Sequence, residues 1–215
     1  MQIENGWLSC ATQMPSPNTD QRPQVADISL LVIHNISLPP NQFGGGHIGE
    51  FFSNRLDPKA DEYFAEICHL KVSSHLLIDR HGKITQFAGF NQRAWHAGVS
   101  QFEERFNCND FSIGIEMEGA DHIPYTEVQY QVLAEVSNVL LKTYPLIKAD
   151  RIVGHSDIAP GRKTDPGQAF QWDHYKQLLG YASTVANTEV KSALFNYFDR
   201  YCSIGKQWTV GLYSA

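Results

Sequence analysis

Phe111-Ser112-Ile113-Gly114-Ile115-Glu116-Met117-Glu118 alternates strictly between two faces. Phe111, Ile113, Ile115 and Met117 share one face; Ser112, Gly114, Glu116 and Glu118 share the other. Successive side chains of a strand point to opposite sides, so this period of two predicts a strand resting on an apolar layer. Its second side carries carboxylates, and two small residues leave that side uncrowded.

Working outward, Ile28-Ser29-Leu30-Leu31-Val32-Ile33-His34 is a β-branched and apolar run, short enough for a buried strand and closed by a histidine. Ser74 to Asp79 and Ile84 to Ala88 read as strand, turn, strand, with His81-Gly82 in the turn. Arg151 to His155 reads as a further short strand, again closed by a histidine. Between these runs lie helical stretches. That over 127–144 is the clearest: Thr126 and Gln129 form a capping box, apolar residues recur at helical spacing and Pro145 follows. Short helices are expected near 47–54 and 59–69, and another near 170–179. Residues 12–25, rich in proline, read as an extended loop, and 156–167 as a rigid loop of Pro and Gly. Strands interleaved with helices predict a layered α/β (mixed α+β) fold, a central mixed sheet flanked by helices.

With 215 residues, 42% hydrophobic and 19% charged, the chain has the composition of one globular domain with an appended tail. The division expected is a domain over 1–180 and a partly helical tail over 181–215, in which Val190, Leu194, Phe198 and Tyr201 make an amphipathic stripe. A net charge of −6 argues against general binding to nucleic acid or anionic membranes. No apolar run approaches the roughly 20 residues of a membrane span. The opening Met1 to Trp7 lacks a basic segment followed by an apolar one, so no secretory signal is expected. Four scattered cysteines with no CxxC pair fit thiols in a reducing compartment.

Nine histidines invite a search for chemistry. His34 and His155 both close strands, and Asp165 follows in the Pro/Gly loop. Two imidazoles and a carboxylate suit zinc, and three protein ligands leave a fourth position for water. The plainer alternative is two polar residues at sheet margins and a turn-forming Asp, since the local HExxH signature is absent. The adjacent His155-Ser156-Asp157 is a poor catalytic relay, and neither a GxSxG elbow nor a phosphate-binding GxxxxGK[ST] occurs. Phe87, Phe90, Trp95 and His96 read equally as a sugar-stacking cluster or as packing.

Leu30 to Pro40, Arg93 to Ser100, Cys108 to Glu116, Gly154 to Pro160 and Arg162 to Gly167, taken together, resemble the cytosolic anhydro-N-acetylmuramyl-L-alanine amidases. These belong to a zinc amidase family that includes phage-type amidases and peptidoglycan recognition proteins, and the resemblance runs from about Gly6 to Trp172. It implies zinc ligands at His34, His155 and Asp165, a catalytic carboxylate at Glu116 and an essential lysine at Lys163. The implied reaction is hydrolysis of the amide between the lactyl group of N-acetylmuramic acid and L-alanine, on anhydro-muropeptides in the cytoplasm during wall recycling. Substrate contacts are expected at Asn35, Lys71, His75, Trp95 and Arg105. The sequence departs from the family pattern at Lys71, where an arginine is expected, and at Asn107, where Arg105 stands close to a second missing arginine. The expected partner is the small-molecule muropeptide, with no nucleic acid and no membrane; the sequence leaves the oligomeric state open, with a monomer favoured. Two other readings are a non-catalytic muropeptide-binding module and an amidase for intact peptidoglycan. The complete set of five chemical residues disfavours the first.

Overall fold

The strand read at 111–118 spans Ser112–Glu118 and lies inside the main sheet of the computed structural model, which describes residues 1–184. Among the described residues that sheet has six strands: β1 (Thr12–Gln13), β2 (Leu30–Ile36), β3 (Leu76–Ile78), β4 (Ile84–Gln86), β5 (Ser112–Glu118) and β6 (Ile152–Gly154). Their spatial order is β6-β2-β5-β3-β4-β1. β6, β2, β5 and β3 run parallel, β4 returns antiparallel to β3, and β1 is parallel to β4. The mixed sheet is therefore as expected.

One face of the sheet is covered by α3 (Glu127–Thr143) and α5 (Trp172–Thr184). Leu31, Ile33, Ile113, Ile115 and Met117 pack there against Val132, Leu133, Val136, Leu140, Tyr175 and Leu179. Each such side chain contributes roughly 1.5–3 kcal/mol when fully buried. The capping box of α3 forms as read, with the Thr126 side chain accepting from the Gln129 N–H and Gln129 reaching back to the Thr126 N–H.

The other face departs from the reading of an uncrowded side. Every residue of β5 is buried. Leu30 and Val32 pack with Ala97, Cys108, Phe111 and Ile158 of α4 (His155–Ile158). Phe111, expected to share the face of Ile113, lies on this side instead, because the strand starts only at Ser112. Further along, Leu77 and Phe87 join α1 (His47–Phe52) and α2 (Glu62–Ile67) through Phe51, Phe52 and Phe64. A parallel strand inside a sheet is covered on both sides, so its polar residues must find partners or a function there.

Other expectations are corrected locally. Residues 12–25 are not only a loop, because β1 joins the main sheet and Thr19–Gln21 pairs antiparallel with Gln92–Ala94. The strand expected to close on His155 ends at Gly154, and His155 opens α4. The Asp157 carboxylate accepts from the Gly154 N–H at 2.7 Å, and the Ala159 N–H donates to the His155 carbonyl, which closes that turn. The boundary expected at 180 falls inside α5. The stripe at Val190, Leu194, Phe198 and Tyr201 lies outside the described residues.

Candidate metal centre and active site

The chemistry gathers where the parallel strands end, the usual place for a site in sheets of this kind. His34 lies near the end of β2, Glu116 near the end of β5, and His155 directly after β6. In the β2–β5 register Glu116 is paired with His34, so both project from the same face. Asp165 arrives on the loop after α4, whose backbone is fixed where the Ser156 N–H donates to the Asp165 carbonyl at 3.0 Å. Gly154 makes room for that loop: a Cβ there would sit 2.8 Å from Cδ of Pro166.

The three expected ligands converge. His34 Nδ1 lies 3.0 Å from His155 Nδ1, and Asp165 Oδ2 lies 3.1 Å from each. Both histidines are buried and Asp165 nearly so. Two ring nitrogens and a carboxylate oxygen at these separations need a proton or a cation among them. The tautomer of His155 points to the cation. Its Nε2 donates to the Ala97 carbonyl at 3.1 Å, so in the neutral ring Nδ1 presents its lone pair to the other two atoms. Burial lowers the pKa of His34 to about 4, which leaves that ring neutral at pH 7. Burial alone would raise the pKa of Asp165, but its close contacts with His155 and His34 hold it below the usual carboxylate range. Two imidazole nitrogens with a carboxylate oxygen are the donor set of a divalent metal, and these three residues could hold one.

The two carboxylates of β5 differ. Glu118 is satisfied, accepting from the Gly44 N–H at 2.6 Å and the Arg80 N–H at 3.0 Å. Glu116 is equally buried, yet its Oε2 has no hydrogen-bond partner. Burial and the neighbouring Asp165 charge raise its pKa well above the usual value, while the Lys163 charge acts in the opposite sense. An orphaned carboxylate oxygen in a buried site is poised to exchange a proton. Lys163 itself is exposed, and its charge also acts on His34.

The expected substrate contacts fare differently. The Asn35 amide nitrogen donates to Asp121 Oδ1 at 2.8 Å and to the Pro166 carbonyl at 3.1 Å, so it ties down the Asp165 loop. His75 is fully buried, with Nδ1 accepting from the Gly114 N–H and Nε2 facing the Gln92 carbonyl. The Arg105 fork grips Asp27 and lies 3.7 Å over the Phe111 ring. Full burial removes His75 from contact with a ligand, whereas Asn35 and Arg105 stay part-exposed and are held in place by their internal partners. Trp95 is part-buried. Lys71 is exposed, and two residues on, the Ser73 N–H donates to the Trp95 carbonyl, which sets this segment beside the loop carrying Trp95 and His96. Phe87 and Phe90 are core residues, which excludes both from a sugar-stacking surface.

Sequence reasoning missed the struts. Arg22 is buried, and its guanidinium donates to the carbonyls of Phe90, Asn109, Asp110 and Ser112. Burial lowers its pKa to about 10, still charged at neutral pH. Asn109 Oδ1 accepts from the N–H groups of His96 and Ala97. The signal for either lies in partners far away in sequence, not in a motif.

A family model described as N-acetylmuramoyl-L-alanine amidase matches residues 24–168. The chain is 58% identical over 173 residues to the 1,6-anhydro-N-acetylmuramyl-L-alanine amidase AmpD of Haemophilus influenzae, covering 80% of this chain and 94% of the relative. A crystal structure of a selenomethionine AmpD derivative superposes with a TM-score of 0.81 at 53% identity, covering 83% of this chain and 99% of that one. The Escherichia coli amidase AmiD, solved with the substrate anhydro-N-acetylmuramic acid-L-Ala-D-γ-Glu-L-Lys, superposes with a TM-score of 0.52 at 26% identity. The match covers 81% of this chain and 71% of AmiD.

Proposed function

This chain belongs to the N-acetylmuramoyl-L-alanine amidase family, and on that premise we propose that it is a zinc-dependent amidase of anhydro-muropeptides. It hydrolyses the amide between the lactyl carbonyl of anhydro-N-acetylmuramic acid and the L-alanine nitrogen. The carbon–nitrogen bond breaks, hydroxyl adds to the carbonyl carbon and the nitrogen leaves with a proton. The reading carries with it a role in wall recycling and a cytoplasmic location. Among the described residues no helix is long and apolar enough to cross a membrane.

The observation that carries the proposal is the donor triangle of His34, His155 and Asp165 beside the unpartnered Glu116. The donor types suit zinc, which His34, His155 and Asp165 would hold. When bound, zinc supplies Lewis acidity towards the amide carbonyl and lowers the pKa of water towards about 7. Glu116 takes the proton of the attacking water and returns it to the departing amine, work that suits a carboxyl whose pKa burial raises above the ordinary value. Lys163 offers an ammonium donor to the oxyanion that develops on the lactyl oxygen. Lys71 supplies positive charge for the free carboxylates of the stem peptide. Its mobile point charge grips them with less geometric definition than an arginine fork.

A non-catalytic binding module would have no use for a buried, unsatisfied carboxylate at the donor triangle. Incubation of the purified protein with anhydro-muropeptide and, separately, with intact peptidoglycan, followed by mass analysis, tests the reading. Free stem peptide from the first substrate, released much faster than from the second, is expected. Cleavage of intact wall alone would move the assignment to a wall amidase.

A further inference from the structure

We propose that His96 is a positioning residue that fixes the ring of His34 in the tautomer required of a metal ligand; this rests on the zinc reading above. His34 Nδ1 belongs to the donor triangle, and its Nε2 lies 2.9 Å from His96 Nδ1. The two rings meet edge to face, with centroids 5.0 Å apart. A metal on His34 Nδ1 requires the proton of the neutral ring to sit on Nε2. That proton then needs an acceptor, and His96 Nδ1 is the atom within reach. On the far side, His96 Nε2 lies 3.1 Å from Ser112 Oγ, which can accept its proton in turn. The order of donation His34 → His96 → Ser112 leaves each ring neutral and each nitrogen used once.

The fold is built around this ring. Ser112 and Gly114 are the two small residues on the polar face of β5. A Cβ on Gly114 would stand 2.6 Å from the His96 ring, so glycine makes the space that the imidazole fills. Asn109 Oδ1 holds the backbone below it, accepting from the N–H groups of His96 and Ala97 at 3.1 and 2.8 Å. The same dipeptide serves the second histidine, because the Ala97 carbonyl takes the Nε2 proton of His155. One pinned loop thus partners the outer nitrogens of both imidazole ligands. Partners of this kind orient a ligand and raise its basicity, and their loss costs about 10- to 100-fold in metal affinity.

The test compares the whole chain with His96→Phe and His96→Asn, after matched unfolding curves have shown that each variant folds. Zinc dissociation constants are measured by competition with a chromophoric chelator. His96→Phe keeps a ring over Gly114 without an acceptor, and about 10- to 100-fold weaker zinc binding is expected. His96→Asn places an amide oxygen near the position of the lost Nδ1 and is expected to recover part of that affinity. An affinity unchanged within about twofold in His96→Phe would overturn the proposal while leaving the zinc reading intact. Failure of the unmodified chain to take up zinc, or full uptake by His34→Ala, would instead remove the zinc reading and this proposal with it. Should His96→Phe not fold, long-range nitrogen–proton NMR of the zinc-loaded unmodified chain decides. A proton on His34 Nε2 with a bare His96 Nδ1 supports the assignment, and a proton on His96 Nδ1 contradicts it.

Discussion

Glu116 of β5 is the register partner of His34 of β2 across a parallel pair of strands. Because the pairing is set by the backbone ladder, a carboxylate and a metal-ligating imidazole are held side by side without help from a loop. The apolar faces of the same strands lie against α3 and α5. A one-residue slip would turn Glu116 into that core and Ile115 or Met117 into the site. The core therefore enforces the geometry of the chemistry.

Glu116→Gln keeps shape and removes the proton-accepting group. Turnover should fall by at least about 100-fold, the usual contribution of general acid–base groups. Zinc content should stay at the level of the unmodified chain, because the three ligand atoms are untouched. Steady-state kinetics beside metal analysis checks both halves of this expectation.

Lys163→Ala should lower turnover by roughly 100- to 1,000-fold, the range for loss of one oxyanion donor. Its side chain is exposed, so stability should be nearly unchanged. A change in the Michaelis constant smaller than the change in turnover would place the contact in the transition state. A raised Michaelis constant with turnover unchanged would instead assign Lys163 to ground-state binding.

Much of this arrangement is legible in the sequence. The strict alternation at 111–118 marks a strand with Glu116 on its polar side, and the Thr126–Gln129 box marks the start of α3. Burial of the polar side of β5 is not legible, because it depends on His96, which reaches Ser112 from sixteen residues away. Nor is the commitment of Arg105 to Asp27, seventy-eight residues distant. The helical turn at His155 depends on Asp157 capping Gly154, a local signal hidden by the Pro/Gly composition that follows. Local pattern gives elements and faces; the identity of a polar partner is a property of the tertiary fold.

Gly114→Ala tests the packing of the His96 ring. The added methyl would meet that ring at 2.6 Å, and the ring is backed by Ser112 and by the pinned loop. Overpacking of this kind costs typically about 1–3 kcal/mol. Denaturant unfolding of the variant should show a loss in that range, with the midpoint lowered and the slope unchanged.

Lys71→Ala and Arg105→Ala should separate. Lys71 is exposed beside the loop of Trp95 and His96, and its loss should weaken use of a tripeptide substrate by about 1.5–3 kcal/mol. A substrate truncated to L-alanine should be nearly unaffected. Arg105, held by Asp27, should affect both substrates alike and only slightly, as expected for a half-exposed ion pair. Paired kcat/KM values on the two substrates distinguish these roles.

The most direct test of the central claim is a zinc titration of metal-stripped protein, with cleavage of anhydro-muropeptide followed by product mass. One equivalent of zinc should restore release of intact stem peptide to the unmodified chain. No amount should restore it to His34→Ala or Asp165→Ala. Full turnover by the metal-free chain, or products cut at any bond other than the lactyl–alanine amide, would contradict the account.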